Sequence, residues 1–277
     1  MAEYLGNAMR RGALSVGGVP QVDRLSVRVV TDAYHHAFER SGKVGDVEVE
    51  RNSFVLSPGT TPKTLKNEWG LSLYVESARG KETRRILVDF GFTPETLNHN
   101  LKLLAIDCGT LDALVLSHGH YDHFGGMAGF LKAQRSKLKA RLPLYLGGEE
   151  CFCVREAGVG NAAGSFGALD RKAIAAAKLK VVTTQTPLSI AGHAFSTGWI
   201  AAESFEKVLS PTRMKVGMTG GMGCAAKKLP PEKRGQPVMP DDFQHEHATC
   251  FNVTDRGLVV ITSCGHRGVV NSAKAAV

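Results

Sequence analysis

A dense group of metal-capable side chains stands directly after a short apolar segment in the middle of the chain. The apolar segment covers residues 111–116, and the sequence then reads Ser117-His118-Gly119-His120-Tyr121-Asp122-His123. The chain has 10 histidines in 277 residues, so three within six positions are not expected by chance. Neutral imidazole nitrogens and a carboxylate oxygen suit zinc and the neighbouring transition metals. This turn is therefore predicted to bind metal.

The spacing of these side chains fits two ions. Residues two apart on an extended backbone point to the same side, so His118 and His120 can reach one ion. Asp122 and His123 follow in the next bend and can reach a second ion beside the first. The alternative is a surface loop that is rich in histidine by chance, and structural context decides between the two.

Composition narrows the classes of protein to which the chain can belong. Hydrophobic residues make up 43% and charged residues 22% of the chain, as in ordinary globular proteins. No uninterrupted apolar stretch is long enough to cross a bilayer, which argues against a membrane partner. The net charge of +8 favours a small anionic ligand. Because the basic residues are scattered and do not alternate with aromatic residues, nucleic acid is only a weak alternative.

The cysteines do not suggest a disulfide scaffold. There are six in a chain of this length, and none forms a Cys-x-x-Cys pair. Cys151 and Cys153 are one residue apart with no second pair nearby, so we expect them to pack in the core or lie on the surface rather than bind metal. This cysteine usage predicts a reducing cytoplasm as the location.

Periodicity is unclear at the start of the chain and in one long internal segment. Residues 1–24 are expected to form a flexible arm before a single domain of residues 25–277. The pair Arg10-Arg11 faintly resembles a twin-arginine export signal, but the apolar part after it is short. Residues 203–242 are rich in Gly, Pro, Lys and Met, and we expect them to form a lid or a binding loop.

Alternating apolar residues and helix signals predict the elements around the metal turn. Thr93 is the predicted N-cap of a helix. Asp89 stands where a strand emerges, and we expect it to orient a metal-bound histidine, with capping of the following turn as its alternative role. The predicted strands cover residues 25–31, 70–76, 85–91, 111–116, 142–146 and 180–184, and the predicted helices cover 94–104, 127–140 and 168–178.

A second group of candidate ligands stands near the end of the chain. Residues 248–253 and 258–262 are apolar segments joined by a short turn, which predicts an antiparallel hairpin. The start of the first strand and the end of the second strand of a hairpin lie side by side. One end of this hairpin therefore offers as candidate ligands His245, Glu246, His247, Cys264 and His266.

The metal turn matches a known pattern. The run His118-Gly-His120-Tyr-Asp122-His123 matches the His-x-His-x-Asp-His motif of the metallo-β-lactamase superfamily, and residues 87–91 resemble its early Asp-x-Gly strand. The chain also resembles the branch of that superfamily whose members are named 7,8-dihydropterin-6-methyl-4-(β-D-ribofuranosyl)aminobenzene-5′-phosphate synthases. The stretches that carry this closer resemblance are Gly70-Leu71-Ser72, residues 116–126, Thr197-Gly198-Trp199-Ile200 and residues 257–271.

The resemblance implies a fold and part of a ligand set. The implied fold is an α/β protein with the four-layer αββα sandwich, in which two β-sheets pack face to face with helices outside and a metal site lies at one sheet edge. It also implies two divalent metal ions, zinc first with manganese or iron as alternatives. His118 and His120 would bind one ion, and Asp122 and His123 the other.

The remaining ligands would come from the hairpin end. Glu246, His247 and His266 are the candidates, with His247 and His266 preferred and Glu246 next, and the sequence leaves open which of them coordinate. Members of the branch continue past the region of Asn271 to a Gly-Gly-Phe-His-Leu segment, whose histidine resembles the last ligand of the superfamily. We therefore expect the domain to lack this last C-terminal segment.

These expectations favour a metal-dependent hydrolase, in which a metal-activated water attacks an ester or phosphoester of a small anionic substrate. Asp122 is the expected catalytic residue, because it would hold metal and orient the water. The substrate is expected against the loops of residues 193–199 and 203–242. The alternatives are a non-catalytic metal-binding or sensing protein, a nuclease of the same fold and, by the resemblance, a pterin-related transferase.

Overall fold

The computed structural model arranges the predicted strands in two β-sheets that lie face to face. It describes residues 18–35, 38–51, 54–55, 59, 61–157, 164–208 and 212–277. None of the helices in this part of the chain is long and apolar enough to cross a membrane. The strands are β1 (Gln21–Val22), β2 (Arg24–Thr31), β3 (Gly42–Val44), β4 (Val47–Val49), β5 (Phe54–Val55), β6 (Lys63–Thr64), β7 (Ser72–Arg79), β8 (Glu82–Val88), β9 (Ala113–Leu116), β10 (Pro143–Leu146), β11 (Val154–Ala157), β12 (Gly164–Gly167), β13 (Lys180–Thr183), β14 (Leu188–Ile190), β15 (Ala194–Ser196), β16 (Thr212–Lys215), β17 (Gly217–Thr219), β18 (Met222–Cys224), β19 (Val238–Pro240), β20 (Thr249–Val253) and β21 (Gly257–Ile261). The helices are α1 (Pro94–Leu103), α2 (Tyr121–Phe124), α3 (Met127–Gln134), α4 (Arg171–Ala176) and α5 (Val269–Ala276), and short 3-10 helices cover Cys108–Thr110, Glu149–Phe152, Ala226–Lys228 and Pro231–Lys233.

The strand order places the metal turn at one edge of the first sheet. That sheet has the order β13-β10-β9-β8-β7-β2, and its members β8, β9, β10 and β13 pair in parallel. The second sheet has the order β1-β20-β15-β14, and β21 also pairs with β20. Parallel strands end at the same edge of a sheet, which is where open α/β sheets bind ligands. The turn after β9 lies at this edge.

Alternation of side chains along the strands separates two faces of each sheet. Between the sheets, Val75, Ile86 and Val115 of the first sheet share a buried cluster with Phe251 and Val253 of the second. Their neighbours in sequence point the opposite way, because successive side chains in a strand alternate. Burial of both faces explains why β9 is apolar at every position.

Helices cover the outer faces of both sheets. Leu114 on the outer face of the first sheet belongs to one buried cluster with Leu97 of α1 and Phe130 of α3. On the second sheet, Cys250 clusters with Ala276 of α5. The layers therefore run helix, sheet, sheet, helix, and the predicted αββα sandwich is confirmed.

Helix α1 begins where its sequence predicts. The Thr93 side chain accepts a hydrogen bond from the backbone N–H of Thr96, and Pro94 occupies the first turn. Leu97 and Leu101 are fully buried one turn apart, which turns one face of the helix toward the first sheet. The predicted N-cap is confirmed.

The folded domain begins before residue 25. Strand β1 pairs in parallel with β20, and Val22 is fully buried between the sheets. Residues 18–24 therefore belong to the domain rather than to a flexible arm. The remainder of the proposed arm, including Arg10-Arg11, lies outside the described residues.

The described part of residues 203–242, expected to form a lid or a binding loop, contains four short strands, two of which join a third sheet. Strands β16 and β19 pair with each other, and β16 also pairs with β11, in the order β12-β11-β16-β19. Strands β17 and β18 form a hairpin beside this sheet. In β16, buried Thr212 and Met214 alternate with exposed Arg213 and Lys215. This short alternation does not stand out in a segment rich in Gly and Pro, so these strands were not expected from the sequence.

One cysteine pair differs from the sequence expectation. Cys153 and Cys224 form a disulfide across 71 residues of chain and join β18 to the residue before β11. Cys151 is buried and free. The expectation that Cys153 only packs or lies on the surface is therefore wrong. Disulfide pairing depends on the distance between Cα atoms in space, which spacing along the chain does not reveal.

Candidate metal centre

The centre begins where β8 and β9 end side by side. The two strands pair with Val88 opposite Val115, so Asp89 and Ser117 leave the sheet at the same point. The Asp89 amide donates to the Val115 carbonyl at 2.9 Å. The Asp89 carboxylate accepts hydrogen bonds from the Ser117 amide at 2.8 Å and from the Ser117 hydroxyl at 2.7 Å. These bonds hold the start of the metal turn against the sheet edge.

The second hairpin supplies the other half of the centre. Thr249 of β20 lies opposite Ile261 of β21, so the residues before β20 run beside the residues after β21. The His247 amide donates to the Ser117 carbonyl at 3.1 Å and joins this end of the hairpin to the metal turn. The predicted juxtaposition of the two segments is confirmed.

Three imidazoles converge between these segments. One potential ligand atom from each of His118, His120 and His266 lies within 4.8 Å of the others. The ring centroids are 5.0 Å apart for His118 and His120, and 4.9 Å apart for His120 and His266. The Phe243 ring stacks on His266 with a centroid distance of 3.9 Å, which fixes the plane of that imidazole.

Two nitrogens at this point lack a partner. The Nε2 atoms of His118 and His266 are buried and make no hydrogen bond to any described residue. Leaving a buried polar atom unpaired costs about 1–3 kcal/mol. Burial, together with the neighbouring imidazoles, lowers the pKa of His118 well below its ordinary value and the pKa of His266 to about 4. Both rings are therefore neutral at neutral pH, and this donor set fits a transition-metal ion.

His123 forms a second point of convergence. Its Nε2 lies 3.3 Å from Oδ2 of Asp122 and 3.0 Å from Sγ of Cys264. Its Nδ1 lies 2.7 Å from Oδ2 of Asp89, so the expected contact between Asp89 and a histidine of the turn is present. Burial opposes a charge on His123, but Asp89 and the hydrogen bonds to Asp122, Asp89 and Cys264 raise its pKa well above the ordinary value. His123 and Cys264 form a second group of potential ligands with His118.

A buried polar network holds His120. Its Nε2 lies 3.1 Å from the Thr212 hydroxyl and 3.7 Å from Oδ2 of Asp241, and neither of these contacts uses Nδ1. The Arg155 Nε donates to the same Oδ2 at 2.8 Å. Burial alone would raise the pKa of Asp241, but Arg155 and His245 hold it well below its ordinary range. Asp241 therefore stays ionised and fixes the orientation of the His120 ring.

Arg155 also supports the metal turn from behind. Its guanidinium donates to the backbone carbonyls of Glu150 and Cys153 and contacts Nε2 of His245. Nδ1 of His245 accepts from the Gly119 amide at 3.2 Å, and burial lowers the pKa of His245 to about 4. Both nitrogens of His245 are thus used in holding the turn.

Glycine is required between the first two histidines of the turn. A Cβ atom at Gly119 would lie 2.8 Å from the carbonyl oxygen of Cys151 and 2.9 Å from its Cα. These are backbone atoms, which cannot move aside at low cost. The close approach seats the turn on the 3-10 helix Glu149–Phe152.

Two of the predicted hairpin ligands lie beside the centre with their polar atoms already engaged. Nδ1 of His247 contacts the Ser196 hydroxyl at 3.0 Å, and its Nε2 contacts the Leu116 carbonyl at 3.0 Å. The Glu246 carboxylate accepts from the amide of His266 at 2.9 Å and from the next amide at 2.6 Å. Of the three candidates, only His266 presents a free nitrogen to the centre, so the preference for His247 is not supported.

The loop of residues 193–199, which was expected to border a substrate, has a polar side chain at each end that contacts the rest of the protein. His193 is fully buried, 3.1 Å from the Ser77 hydroxyl and 3.3 Å from Oε2 of Glu82, at the start of the loop that was expected to border a substrate. The Trp199 indole N–H donates to the Gly147 carbonyl at 2.8 Å. His193 instead links β7 to the turn before β15.

Three supporting residues were not identified from the sequence. Arg155, Thr212 and Asp241 belong to no recognisable motif, and the last two fall in the segment without clear periodicity. The one signal was a pair of aspartates, Asp241 and Asp242, just before the hairpin histidines.

Comparison with protein-family models matches residues 70–140 to the metallo-beta-lactamase superfamily. Among curated proteins, the 7,8-dihydropterin-6-methyl-4-(beta-D-ribofuranosyl)-aminobenzene-5'-phosphate synthase of Methanocaldococcus jannaschii is 26% identical over 213 residues. This match covers 76% of the present chain and 66% of the relative, just under two thirds of the relative's length.

Solved structures of low sequence identity also resemble the chain. An N-acyl homoserine lactone hydrolase with its product bound at the catalytic metal centre is 12% identical, covers 87% of this chain and 75% of its own, and has a TM-score of 0.39. The Rm3 metallo-beta-lactamase is 13% identical, with coverages of 69% and 57% and a TM-score of 0.34. The matched segment 70–140 and the observed layers agree with the resemblance found in the sequence, and the chain has a mixed α/β fold like that of the metallo-beta-lactamase superfamily.

Proposed function

We propose that the chain is a metal-dependent hydrolase that cleaves an ester or phosphoester bond of a small anionic substrate. The observation that carries the proposal is the pair of buried Nε2 atoms of His118 and His266, which lack a hydrogen-bond partner among the described residues. With His120 they form one group of potential ligands. Neutral buried imidazoles that face one another are a natural donor set for a transition metal.

The ligands we assign divide between two positions. His118, His120 and His266 would hold one ion, and Asp122 and His123 would hold a second. Zinc suits these donors best, with manganese or iron as alternatives. A divalent ion bound here supplies Lewis acidity and lowers the pKa of a water molecule.

Asp122 is the residue to which we assign orientation of the attacking water. Burial raises the pKa of its carboxyl, but His123 and His120 lower it overall. The carboxylate therefore stays ionised at neutral pH and can accept a hydrogen bond from water. Asp89 holds the His123 ring and Asp241 holds the His120 ring, so both keep their direction when substrate enters.

The substrate class follows from charge. A net charge of +8 attracts anions, and the name of the Methanocaldococcus jannaschii relative includes a phosphate. We therefore assign a phosphorylated small molecule as the first class to test, before carboxylic esters without a phosphate.

The name of that relative favours a second reaction class. It is a synthase, so group transfer between two organic substrates is the alternative to hydrolysis. Water labelled with heavy oxygen separates the two reactions. Hydrolysis places the label in one product, whereas transfer leaves both products unlabelled.

Metal content and turnover test the proposal together. We expect the wild-type chain to hold two ions by elemental analysis and to hydrolyse members of a panel of phosphate esters and carboxylic esters. The variants His118→Ala and His266→Ala should bind less metal and hydrolyse esters more slowly than the wild type. His99→Ala is the matched control, because it removes an imidazole of α1 whose Nε2 contacts the Thr64 carbonyl near the surface, away from the metal turn.

Two results would contradict the proposal in different ways. If the wild-type chain binds no transition metal, the proposed metal centre is wrong. If it holds two ions but hydrolyses no member of the panel, the metal centre is correct and the proposed hydrolase activity is wrong.

A further inference from the structure

The ring of His266 is held differently from the rings of the metal turn. A metal-bound histidine usually has its second ring nitrogen in a hydrogen bond that fixes the ring. Each histidine of the metal turn has such a bond to a neighbouring side chain, and the pairs are His118 with Ser117 (3.0 Å), His120 with Thr212 (3.1 Å) and His123 with Asp89 (2.7 Å). Nε2 of His266 has no partner among the described residues, and the described contacts of its ring are contacts with other rings.

The ring that stacks on His266 belongs to Phe243. The two centroids are 3.9 Å apart and the rings are inclined by 14°. The Phe243 ring also meets His120 edge-on, with a centroid distance of 4.8 Å and an angle of 71°. Phe243 is fully buried, so both contacts are made away from solvent. One aromatic ring thus packs against two imidazoles that come from different segments of the chain.

The backbone of Phe243 is fixed in an unusual conformation. Its φ of 55° lies in the left-handed region, which residues other than glycine rarely adopt. Its amide donates to Oδ1 of Asp241 at 3.1 Å, and its carbonyl accepts from the Glu246 amide at 2.9 Å. Such conformations persist where the surrounding contacts hold them, and they are concentrated at functional sites. Hydrogen bonds on both sides therefore set the position of the ring.

Asp241 connects this aromatic ring to His120. Its Oδ1 accepts from the Phe243 amide, whereas its Oδ2 lies 3.7 Å from Nε2 of His120 and accepts from Arg155 at 2.8 Å. One carboxylate therefore fixes the His120 ring directly and the His266 ring through Phe243.

We propose that Phe243 is a positioning residue for the first ion, which directs the His266 ring by stacking where the other histidines are directed by hydrogen bonds. The inference rests on the proposed metal centre and adds a residue that has no donor atom for metal. Stacking fixes the plane of an imidazole and uses neither of its nitrogens, so Nε2 stays available as an electron-pair donor. Without the aromatic ring, His266 gains rotational freedom, and ordering it on metal binding costs conformational entropy.

Metal affinity of the full chain tests the proposal without reference to turnover. We expect Phe243→Leu to bind one of its two ions about 10–100-fold more weakly than the wild type, the range typical of supporting residues around a bound metal. Titration with Zn²⁺ in competition with a chelator of known affinity measures this change. Phe243→Tyr keeps the aromatic ring and should bind that ion at least about tenfold more tightly than Phe243→Leu. Wild-type affinities in Phe243→Leu would overturn the proposal.

Phe251→Leu is the matched control. Phe251 is as fully buried as Phe243, but it packs between the two sheets among apolar residues. The same substitution there removes a similar volume from the core and should leave both metal affinities within about twofold of the wild type, because distant sites act independently. Equal losses of affinity in the two variants would show that general loosening of the core is responsible, and the role of Phe243 would be wrong.

A double-mutant cycle shows whether Phe243 acts through His266. In the His266→Ala background, Phe243→Leu should cause a smaller loss of affinity than in the wild type, since only the edge contact with His120 remains to be lost. Residues that act independently give additive losses. If Phe243→Leu weakens binding by the same factor in both backgrounds, Phe243 does not position His266.

The outcomes also distinguish this inference from the proposed function. If the wild type binds two ions and hydrolyses esters while Phe243→Leu keeps its metal affinities, the role of Phe243 is wrong and the hydrolase stands. If Phe243→Leu weakens metal binding but the wild type hydrolyses no ester, the role of Phe243 stands and the hydrolase is wrong. A wild-type chain that binds no transition metal would overturn both.

Discussion

Nδ1 of His123 donates a hydrogen bond to Oδ2 of Asp89 across 2.7 Å, between residues 34 positions apart in the sequence. Because one nitrogen of the ring is occupied by this bond, the other points toward Asp122 and Cys264. The same carboxylate accepts from Ser117 and from Ser263. Asp89 thus joins the end of β8 to both segments that form the metal centre.

Asp89→Asn should weaken metal binding without removing any proposed ligand. An amide cannot accept from all the donors that now meet the carboxylate, so the His123 ring loses its fixed direction. We expect metal affinity to fall by about 10–100-fold. Competition with a chelator of known affinity measures this change. Unaltered affinity in a folded variant would show that the bond has no orienting role.

Gly119→Ala should displace the metal turn. The added Cβ would lie 2.8 Å from the backbone oxygen of Cys151, whereas Cβ at Gly164 would meet no atom of a described residue within 4 Å. We expect Gly119→Ala to lower the free energy of unfolding by about 1–3 kcal/mol. Gly164→Ala, the matched control, should stay within about 0.5 kcal/mol of wild type. Urea denaturation of both variants decides, and equal stabilities would contradict the close packing.

Arg155→Met should destabilise the chain strongly, because it leaves the buried Asp241 carboxylate without its partner at 2.8 Å. Breaking a buried ion pair costs about 3–5 kcal/mol. Combining Arg155→Met with Asp241→Leu should cost less than the sum of the two single changes, since no buried charge then remains unpaired. Urea denaturation measures all three, and additive losses would show that the two residues do not interact.

The metal-free chain should lose stability as the pH falls from about 6.5 to about 4. Burial lowers the pKa of His245 and of His247 to about 4 in the folded state. In this window the unfolded chain binds protons on these rings that the folded chain does not, so lower pH favours unfolding. Each ring contributes up to about 1.4 kcal/mol per pH unit to the slope.

The variant His247→Gln tests that contribution. It should reduce the slope of stability against pH inside the window and leave the slope above pH 7 unchanged. Thermal unfolding in the presence of a chelator, across this pH range, gives the comparison. A slope identical to that of the wild type would show that His247 already carries a proton in the folded chain.

Reduction of the disulfide between Cys153 and Cys224 should destabilise the chain. A bond that closes 71 residues of chain contributes about 4 kcal/mol by its effect on the unfolded state. The double variant Cys153→Ala/Cys224→Ala should show a similar loss and no further effect of reductant, whereas Cys250→Ala should respond to reductant like the wild type. A reductant that leaves wild-type stability unchanged would contradict the pairing.

Local sequence was sufficient to predict the strands and the helix around the metal turn. Period-two alternation predicted β2, β7 and β8, and Thr93 predicted the start of α1. The metal turn could be located from the sequence because its candidate ligands are close together in the chain. The boundaries were less accurate: helix α3 ends at Gln134, well before the expected residue 140.

Long-range pairing was predictable only where a simple motif forces it. The hairpin of β20 and β21 necessarily brings the residues before and after it together, so His266 could be placed near His118. The same argument could not decide between His266 and His247 as ligands. His247 precedes the first strand of the hairpin and His266 follows the second, so both are expected near the metal turn. The hydrogen bonds of His247 to Ser196 and Leu116 made that distinction.

The sequence by itself therefore determined the metal turn and the hairpin that faces it, since these depend on local periodicity and on ligands that are close in the chain. The fold class was implied by the resemblance of its motifs to a known superfamily. The tertiary structure alone decided which imidazoles keep a free nitrogen, how Arg155 and Asp241 hold His120, and which cysteines pair. These features depend on distances between side chains far apart in sequence. Such distances are set by the packing of two sheets and their helices, and no local pattern encodes them.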